Sequence, residues 1–212
     1  MSPRFRRVRL AVSAALAAAA IGMLTAPAAQ ADAGSFANPG FEAGGGSWNQ
    51  FSMPFGGVEL INSSSTYPAH SGYWKAELGG RGFAGVNRVS QQVTVPAYRV
   101  PVLSFWLRID PQTPATMGYR ELIVEATTQD GTPYLLTSRT NKDSNGEYQK
   151  VTLTLPDAFY SSSEQRVNIS FMAVEDAANK LPFLIDDMTM TYNLKIFRPW
   201  IPPVLTRPTI GL

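Results

Sequence analysis

The sequence predicts an all-β protein built as an antiparallel β-sandwich. After residue 33 helical periodicity is almost absent, while short alternating runs rich in Val, Ile, Thr, Tyr and Phe recur along the chain. Clusters of Gly, Pro, Asn and Asp separate these runs, and Asp130-Gly131 is short enough to connect a β-hairpin. Many short strands with frequent turn signals are typical of a sandwich of two antiparallel sheets.

Residues 1–33 form a predicted signal peptide. Four arginines precede an apolar run from Leu10 to Ala26, and small residues then offer cleavage sites after Ala31 or Ala33. Such a segment predicts a secreted protein, free or associated with the cell envelope. Its removal takes away four of 18 basic residues and leaves 14 against 16 acidic ones, so nucleic acid is not expected as a partner. No later stretch is long and apolar enough to span a membrane.

The domain predicted for residues 34–193 contains seven strands that alternation defines. In the second of them, Leu103 and Phe105 face one side, while Trp106 and Arg108 face the other. An aromatic ring and a charge opposite the core indicate a side that meets solvent or a ligand. The predicted strands are 89–96, 102–109, 121–129, 133–140, 148–156, 166–174 and 183–192.

A Pro-rich tail, residues 194–212, follows the last strand. Its four prolines and the apolar residues between them favour an extended or polyproline-like segment over a strand. The tail either packs along the sandwich or frays, or residues 196–212 provide a docking segment for a protein partner.

Acidic residues stand at the two ends of the predicted domain. Glu42 follows Phe41 near its start, and Asp186 and Asp187 lie in the last strand. If the first and last strands are neighbours, these carboxylates converge, and calcium prefers carboxylates with backbone carbonyls. The alternative is that Glu42 and Asp186 accept backbone N–H groups at strand ends. Zinc and iron are disfavoured, because cysteine is absent and His70 is the only histidine.

Two segments near the start of the predicted domain are NPGFEAGGGSW, residues 38–48, and HSGYWKAELGG, residues 70–80. The first is similar to the N-terminal motif of secreted carbohydrate-binding modules of families four, nine and twenty-two, and the second resembles their second motif. Two further strands and the closing segment FLIDDMTM match the motifs that follow, in the right order. The resemblance covers residues 36–192 and implies a galactose-binding-like jelly roll with a structural calcium ion.

The resemblance also implies which residues hold the calcium ion. Glu42 and Asp186 are the expected side-chain ligands, and backbone carbonyls near Asn38 and Lys75 complete the shell. Asp187 is the less favoured of the two neighbouring carboxylates, because the corresponding position in the family is often Asn.

The function predicted from these features is non-catalytic binding of a polysaccharide or another glycan. Such binding requires aromatic surfaces for the apolar faces of sugar rings and polar groups for their hydroxyls. The alternative is a structural or protein-interaction domain of the same fold, since fold does not decide function. The candidate substrate-binding residues are Trp106, Arg108, Tyr119, Tyr134 and Tyr148.

We predict that the protein is not an enzyme. The common hydrolase, metalloprotease and phosphate-binding motifs are absent, and His70 lies in a turn that the family resemblance makes structural. A polysaccharide lyase of the jelly-roll type is the remaining catalytic alternative, because YRELIVEA and NGEYQKV resemble two of its motifs. In that case Arg120 would neutralise a uronate and Tyr148 would move the proton.

Overall fold

A computed structural model describes residues 35–114 and 117–195. These described residues belong to one compact unit. The predicted signal peptide and the docking segment 196–212 lie outside the described residues, so both stay predictions. Within the described ranges, no helix is long and apolar enough to cross a membrane.

The described chain folds as a sandwich of two five-stranded antiparallel sheets, and this confirms the predicted jelly-roll fold class. The strands are β1 (Asn49–Met53), β2 (Ile61–Asn62), β3 (Lys75–Gly79), β4 (Gly85–Val95), β5 (Arg99–Ile109), β6 (Arg120–Thr127), β7 (Pro133–Thr140), β8 (Tyr148–Thr154), β9 (Gln165–Glu175) and β10 (Pro182–Leu194). Sheet A has the order β1-β4-β9-β6-β7, and sheet B has the order β2-β3-β10-β5-β8.

All seven strands predicted from alternation are present as β4 to β10, although several of their ends are shifted. The predicted hairpin joins β6 and β7, and its turn places Gly131 at φ +89°. Alternation did not define β1, β2 and β3. β2 has only two residues, too few for a periodic pattern, and β1 follows a glycine-rich segment.

The core lies between the inner faces of the two sheets. Leu103 and Phe105 of β5 and Ile169 and Phe171 of β9 are fully buried, as the alternation of each strand requires. Phe105 and Phe171 meet edge to face across the two sheets, with their ring centroids 5.0 Å apart. Because this packing buries the inner faces, a ligand can reach only the outer faces of the sheets, their edges and the loops.

Candidate functional site

The outer face of sheet B is crossed by residues 63–74, which connect β2 to β3 and which we call the strap. The ammonium of Lys75 in β3 is buried and donates to the carbonyl of Ser64 at 2.6 Å. At the other edge of the sheet, the hydroxyl of Tyr148 in β8 donates to the carbonyl of Pro68 at 3.1 Å. The strap therefore spans sheet B from β3 to its edge strand.

Trp106 lies beneath the strap. Its indole is on the outer face of β5, as alternation predicted, but the ring of His70 stacks on it with 3.9 Å between centroids. The ring of Tyr148 meets the same imidazole at 5.4 Å in an edge-to-face arrangement. A sugar ring cannot stack on an indole face that an imidazole already covers. Trp106 can therefore contact a glycan on that face only if the strap moves.

The structure brings three of the five predicted substrate-binding residues together and leaves two apart. Trp106, Arg108 and Tyr148 share the outer face of sheet B, with Arg108 directly opposite Tyr148. Burial raises the pKa of the Tyr148 hydroxyl, which keeps it a hydrogen-bond donor. Tyr119 is exposed just before β6, and Tyr134 packs against the core from β7. Glycan binding by this five-residue set stays a prediction.

Three carboxylates, those of Glu42, Asp186 and Asp187, hold the strap, and we call their contacts with it the clasp. Asp186 is fully buried, and its Oδ2 accepts the amides of His70 at 2.9 Å and Ser71 at 3.2 Å. Its Oδ1 accepts the amide of Asp187 at 2.8 Å. Burial raises the pKa of the Asp186 carboxyl to about 6, although these three amides act to lower it. Ionisation of Asp186 therefore lowers the free energy of unfolding of the protein.

Glu42 holds the far end of the strap and is exposed rather than buried. Its Oε1 accepts the amides of Tyr73 and Trp74, both at 2.9 Å. Gly72 has φ +60°, and a Cβ at this position would clash with the Glu42 carboxylate. Only glycine permits both the backbone conformation and the close approach. Glu42 and Gly72 therefore fit each other from two distant parts of the sequence.

Asp187 adds side-chain contacts to the clasp. Its Oδ2 lies 2.6 Å from Nδ1 of His70, and its Oδ1 accepts the hydroxyl of Ser71 at 2.9 Å. Asn38, Phe41 and Asp187 are three of the four non-glycine residues that have positive φ in the described ranges. Such conformations cost on the order of 1 kcal/mol or more and persist only where surrounding contacts fix the backbone. The clasp is such a place.

The predicted calcium ligands use their oxygens for other contacts. Calcium takes six to eight oxygens around one centre. The carboxylates of Glu42 and Asp186 accept amide protons, and the carbonyl of Asn38 accepts the amide of Phe41 and the indole N–H of Trp48, each at 3.2 Å. In the part of the chain that the structure describes, no group of three His, Cys, Asp or Glu side chains could hold a metal ion. This arrangement does not fit calcium and favours the N–H alternative, while calcium binding itself stays untested.

The outer face of sheet A differs, because it carries an open apolar band. Phe51, Arg88, Met172 and Ile123 lie side by side in register on β1, β4, β9 and β6. Phe51 is 43% exposed, and the guanidinium of Arg88 lies 5.4 Å from the centroid of its ring. We call this row the apolar band.

A depression runs beside the apolar band. Ser90 and Ser170 are paired neighbours on β4 and β9 that point outward, yet they are only 7% and 5% exposed. They lie between the apolar band on one side and the row of Gln92 and Asn168 on the other, and we infer from their low exposure that these longer side chains shield them. Rows two residues apart along a strand are separated by about 7 Å. We call this depression, with the apolar band and the polar row that border it, the trough.

Polar side chains in the trough are free to bind a ligand. Among the described contacts, none engages the side chains of Gln92, Asn168 or Glu125, and no hydrogen bond fastens a loop onto this face. Side chains of this kind offer both donors and acceptors. Sequence reasoning missed the trough because β1, which supplies Phe51, was not defined. Alternation within β4 and β9 does indicate the other parts of the trough. It places Arg88, the paired serines and the row of Gln92 and Asn168 on the side opposite the core.

The residues that the lyase alternative requires do not form an accessible site. Arg120 is 1% exposed, and its guanidinium donates to the carbonyls of Leu181 at 2.5 Å and Asp110 at 2.6 Å. Its charge also lies 5.1 Å from the ring centroid of Phe183. An arginine committed to backbone carbonyls inside the sandwich cannot neutralise a uronate, so the described geometry gives the lyase no support.

No family model matches the sequence, and no curated protein matches it. Among solved structures, the chain is similar to the family 61 carbohydrate-binding module TmCBM61 in complex with β-1,4-galactotriose. The TM-score is 0.51 at 17% identity, over 74% of this chain and 96% of that one.

Two other modules are less similar. The Family 16 Carbohydrate Binding Module-2 gives a TM-score of 0.44 at 21% identity, over 74% of this chain and 98% of that one. The CBM22-1 xylan-binding domain of Paenibacillus barcinonensis Xyn10C gives a TM-score of 0.41 at 15% identity, over 70% of this chain and 87% of that one. The likeness to TmCBM61 confirms a carbohydrate-binding-module-like sandwich. Membership of families four, nine or twenty-two stays a prediction.

Proposed function

We propose that the protein binds a glycan without converting it, and that the trough on sheet A is the binding site. The trough is the observation that carries this proposal. Sugar rings have apolar C–H faces and hydroxyl edges, so a site for them needs an apolar surface beside hydrogen-bonding groups. Phe51 and Met172 supply the first, and the amides of Gln92 and Asn168 supply the second. The module-like fold supports the same function.

The direction of the trough favours a polysaccharide chain over a single sugar. One row in register crosses the whole sheet, because the pairings of sheet A place its members opposite one another on successive strands. Five strands at about 4.8 Å spacing make this row about 20 Å long, which is enough for several sugar rings. A chain lying across the strands would meet polar groups along its length. The row consists of Asn49, Ser90, Ser170, Glu125 and Leu135.

Affinity electrophoresis of residues 34–212 through gels containing soluble polysaccharides tests the proposal. The panel comprises xylan, β-1,4-galactan, a mixed-linkage β-glucan and polygalacturonate. We expect at least one polysaccharide to retard the protein and Phe51→Ala to weaken binding about tenfold or more. The reason is that removing a ring that stacks on a sugar forfeits about 1.5–3 kcal/mol of apolar burial.

Tyr98→Ala is the matched control for this experiment, because Tyr98 is 58% exposed but lies in the β4–β5 turn, away from the trough. It should migrate like the wild type. Failure of every polysaccharide and of isolated cell-envelope material to retard the wild type would overturn the proposal. Equal retardation of Phe51→Ala and the wild type would remove the trough as the site.

Export is a separate part of the proposal. It rests on the predicted cleavage after Ala31 or Ala33, and it places the mature domain outside the cell or at the envelope. Mass spectrometry of the protein from culture medium and from envelope fractions should find one of these two N-termini. Recovery of the uncleaved chain from the cytoplasm alone would contradict it. The protein-interaction alternative depends on residues 196–212, which lie outside the described residues, so it stays a prediction.

A further inference from the structure

Tyr73 is the most exposed large hydrophobic side chain in the described ranges, at 80%. An exposed ring on a flexible loop would need no explanation. Tyr73, however, lies in the strap, and both oxygens of the Glu42 carboxylate accept its amide, at 2.9 and 3.2 Å. The backbone that carries the ring is thus held in place while the ring itself projects into solvent.

The neighbouring residues of the strap are fixed as well. His70 and Ser71 donate their amides to the fully buried Asp186, and Trp74 donates its amide to Glu42. Binding to a loop that is already ordered does not incur the entropy cost of ordering it. The clasp therefore presents Tyr73 as a ready-made flat surface.

A cavity of about 280 Å³ opens beside this ring. Its lining includes Ser63, Ser65, Tyr67 and Pro68, all from the strap. Among the described contacts, the hydroxyls of Ser63 and Ser65 have no hydrogen-bond partner. Free hydroxyls beside an exposed aromatic ring match the hydroxyl edge and apolar face of a sugar. The volume is near the lower end for small-molecule sites, so the cavity suits one sugar unit.

The charges around this cavity favour a neutral sugar. No charged side chain lines it. Lys75 lies below Ser64 but is fully buried, with its ammonium 3.6 Å from the carboxylate of Glu77. Glu42 lies directly beneath the peptide of Tyr73. A uronate would find no accessible cation here and would meet a carboxylate.

We propose that Tyr73 and the cavity beside it form a second glycan site, which takes a neutral sugar unit. This inference rests on the proposed glycan binding, but it concerns a different surface. The strap lies on the outer face of sheet B and the trough on the outer face of sheet A, so the two sites lie on different faces of the sandwich. One domain would then bind two polysaccharide chains and cross-link them.

Light scattering from soluble xylan, β-1,4-galactan and β-glucan mixed with the protein tests this inference, with polygalacturonate as the charged probe. We expect the wild type, which should be monodisperse alone, to enlarge the particles of a neutral polysaccharide that retards it in gels. Tyr73→Ala should stay within about twofold of wild-type retardation, because the trough is intact, but should not enlarge the particles. Tyr73→Trp should restore cross-linking, and Tyr98→Ala should behave like the wild type.

Cross-linking by Tyr73→Ala at the wild-type level would overturn the second site. So would a wild type that is retarded but never cross-links, a Tyr73→Trp variant that fails to restore cross-linking, or equal cross-linking of polygalacturonate. These outcomes leave the trough proposal intact, since that proposal depends on retardation and on Phe51. Absence of retardation by any polysaccharide would instead remove the proposed function itself.

Discussion

The two outer faces of the sandwich differ in what covers them. On sheet B the strap crosses from β3 to β8, and an imidazole lies on Trp106. On sheet A, Phe51 is 43% exposed and the polar groups beside it face solvent. Both faces carry aromatic, charged and polar residues, so composition does not separate them. The difference arises from one twelve-residue connection and from three carboxylates that hold it.

This difference shows that an outward-facing residue is not always an accessible one. Alternation within a strand states only that Trp106 points away from the core. Whether a loop then lies over it depends on contacts distant in sequence, such as those of Asp186 with His70 and Ser71. Opening the covered face should therefore have the largest effect.

The largest effect is expected from Asp186→Ala, which would release the strap. The substitution leaves the amides of His70, Ser71 and Asp187 without their acceptor, and an unpaired buried amide costs about 1–3 kcal/mol. At pH 4, where the raised pKa keeps Asp186 protonated and its contribution intact, we expect a loss of about 3 kcal/mol, or roughly 10 °C in melting temperature, and greater quenching of tryptophan fluorescence by iodide. Glu42→Ala, at the exposed end, should cost only about 1 kcal/mol. Equal effects of the two variants would contradict this account of the clasp.

The pH dependence of stability should report the same carboxylate. Because burial raises the pKa of Asp186 to about 6 in the fold, its stabilising contribution is fully present below about pH 4 and is lost as pH rises through 6. The loss amounts to about 3 kcal/mol, since each tenfold change in proton affinity corresponds to about 1.4 kcal/mol. Urea unfolding of the wild type and of Asp186→Asn between pH 4 and 7 measures this contribution, as the difference between their free energies of unfolding at each pH. A difference between the two that stays constant with pH would exclude the raised pKa.

Trp106→Ala should lower stability and leave glycan binding unchanged. The substitution removes the stack with His70 and its buried apolar area, at a cost of about 2 kcal/mol. Polysaccharide retardation should stay within about twofold of the wild type, whereas Phe51→Ala loses about tenfold. The reverse pattern, with binding lost in Trp106→Ala and kept in Phe51→Ala, would mean that the strap opens and that the covered face binds the ligand.

Calcium is expected to have no effect on the melting temperature, because amide protons occupy the carboxylate oxygens that the ion would need. The measurement is thermal unfolding with 1 mM-scale calcium and with EGTA, at the order of concentration that extracellular calcium modules require. Any ion that binds only the folded protein raises its melting temperature. A clear decrease in EGTA that calcium reverses, and that Glu42→Ala abolishes, would establish the calcium site predicted from the sequence.

Most of the fold could be predicted from the sequence because each long strand carries its own alternating pattern. The seven strands from β4 to β10 are defined in this way, and their inner residues form the observed core. Alternation does not define the short strands β1 to β3, because each depends on a partner strand: β1 pairs with β4, β3 with β10, and β2 with β3.

The site was less predictable, for a physical reason. Trp106, Arg108 and Tyr148 do share one face, as the pattern implies, but the cover over them is a tertiary contact. The matched pair of Glu42 and Gly72 joins two segments thirty positions apart, and no periodicity reveals it. The sequence therefore indicated which side chains face outward better than it indicated which of them a ligand can reach.

The most direct test of the central claim is to map the glycan contact by NMR. Amide and indole signals of ¹⁵N-labelled protein would be followed during titration with a fragment of the polysaccharide that retards it most. We predict shifts across residues 49–53, 86–92 and 168–174 of sheet A, with the indole N–H of Trp106 unchanged. Shifts confined to Trp106, Arg108 and Tyr148, with none on sheet A, would contradict the claim that the open face binds the glycan.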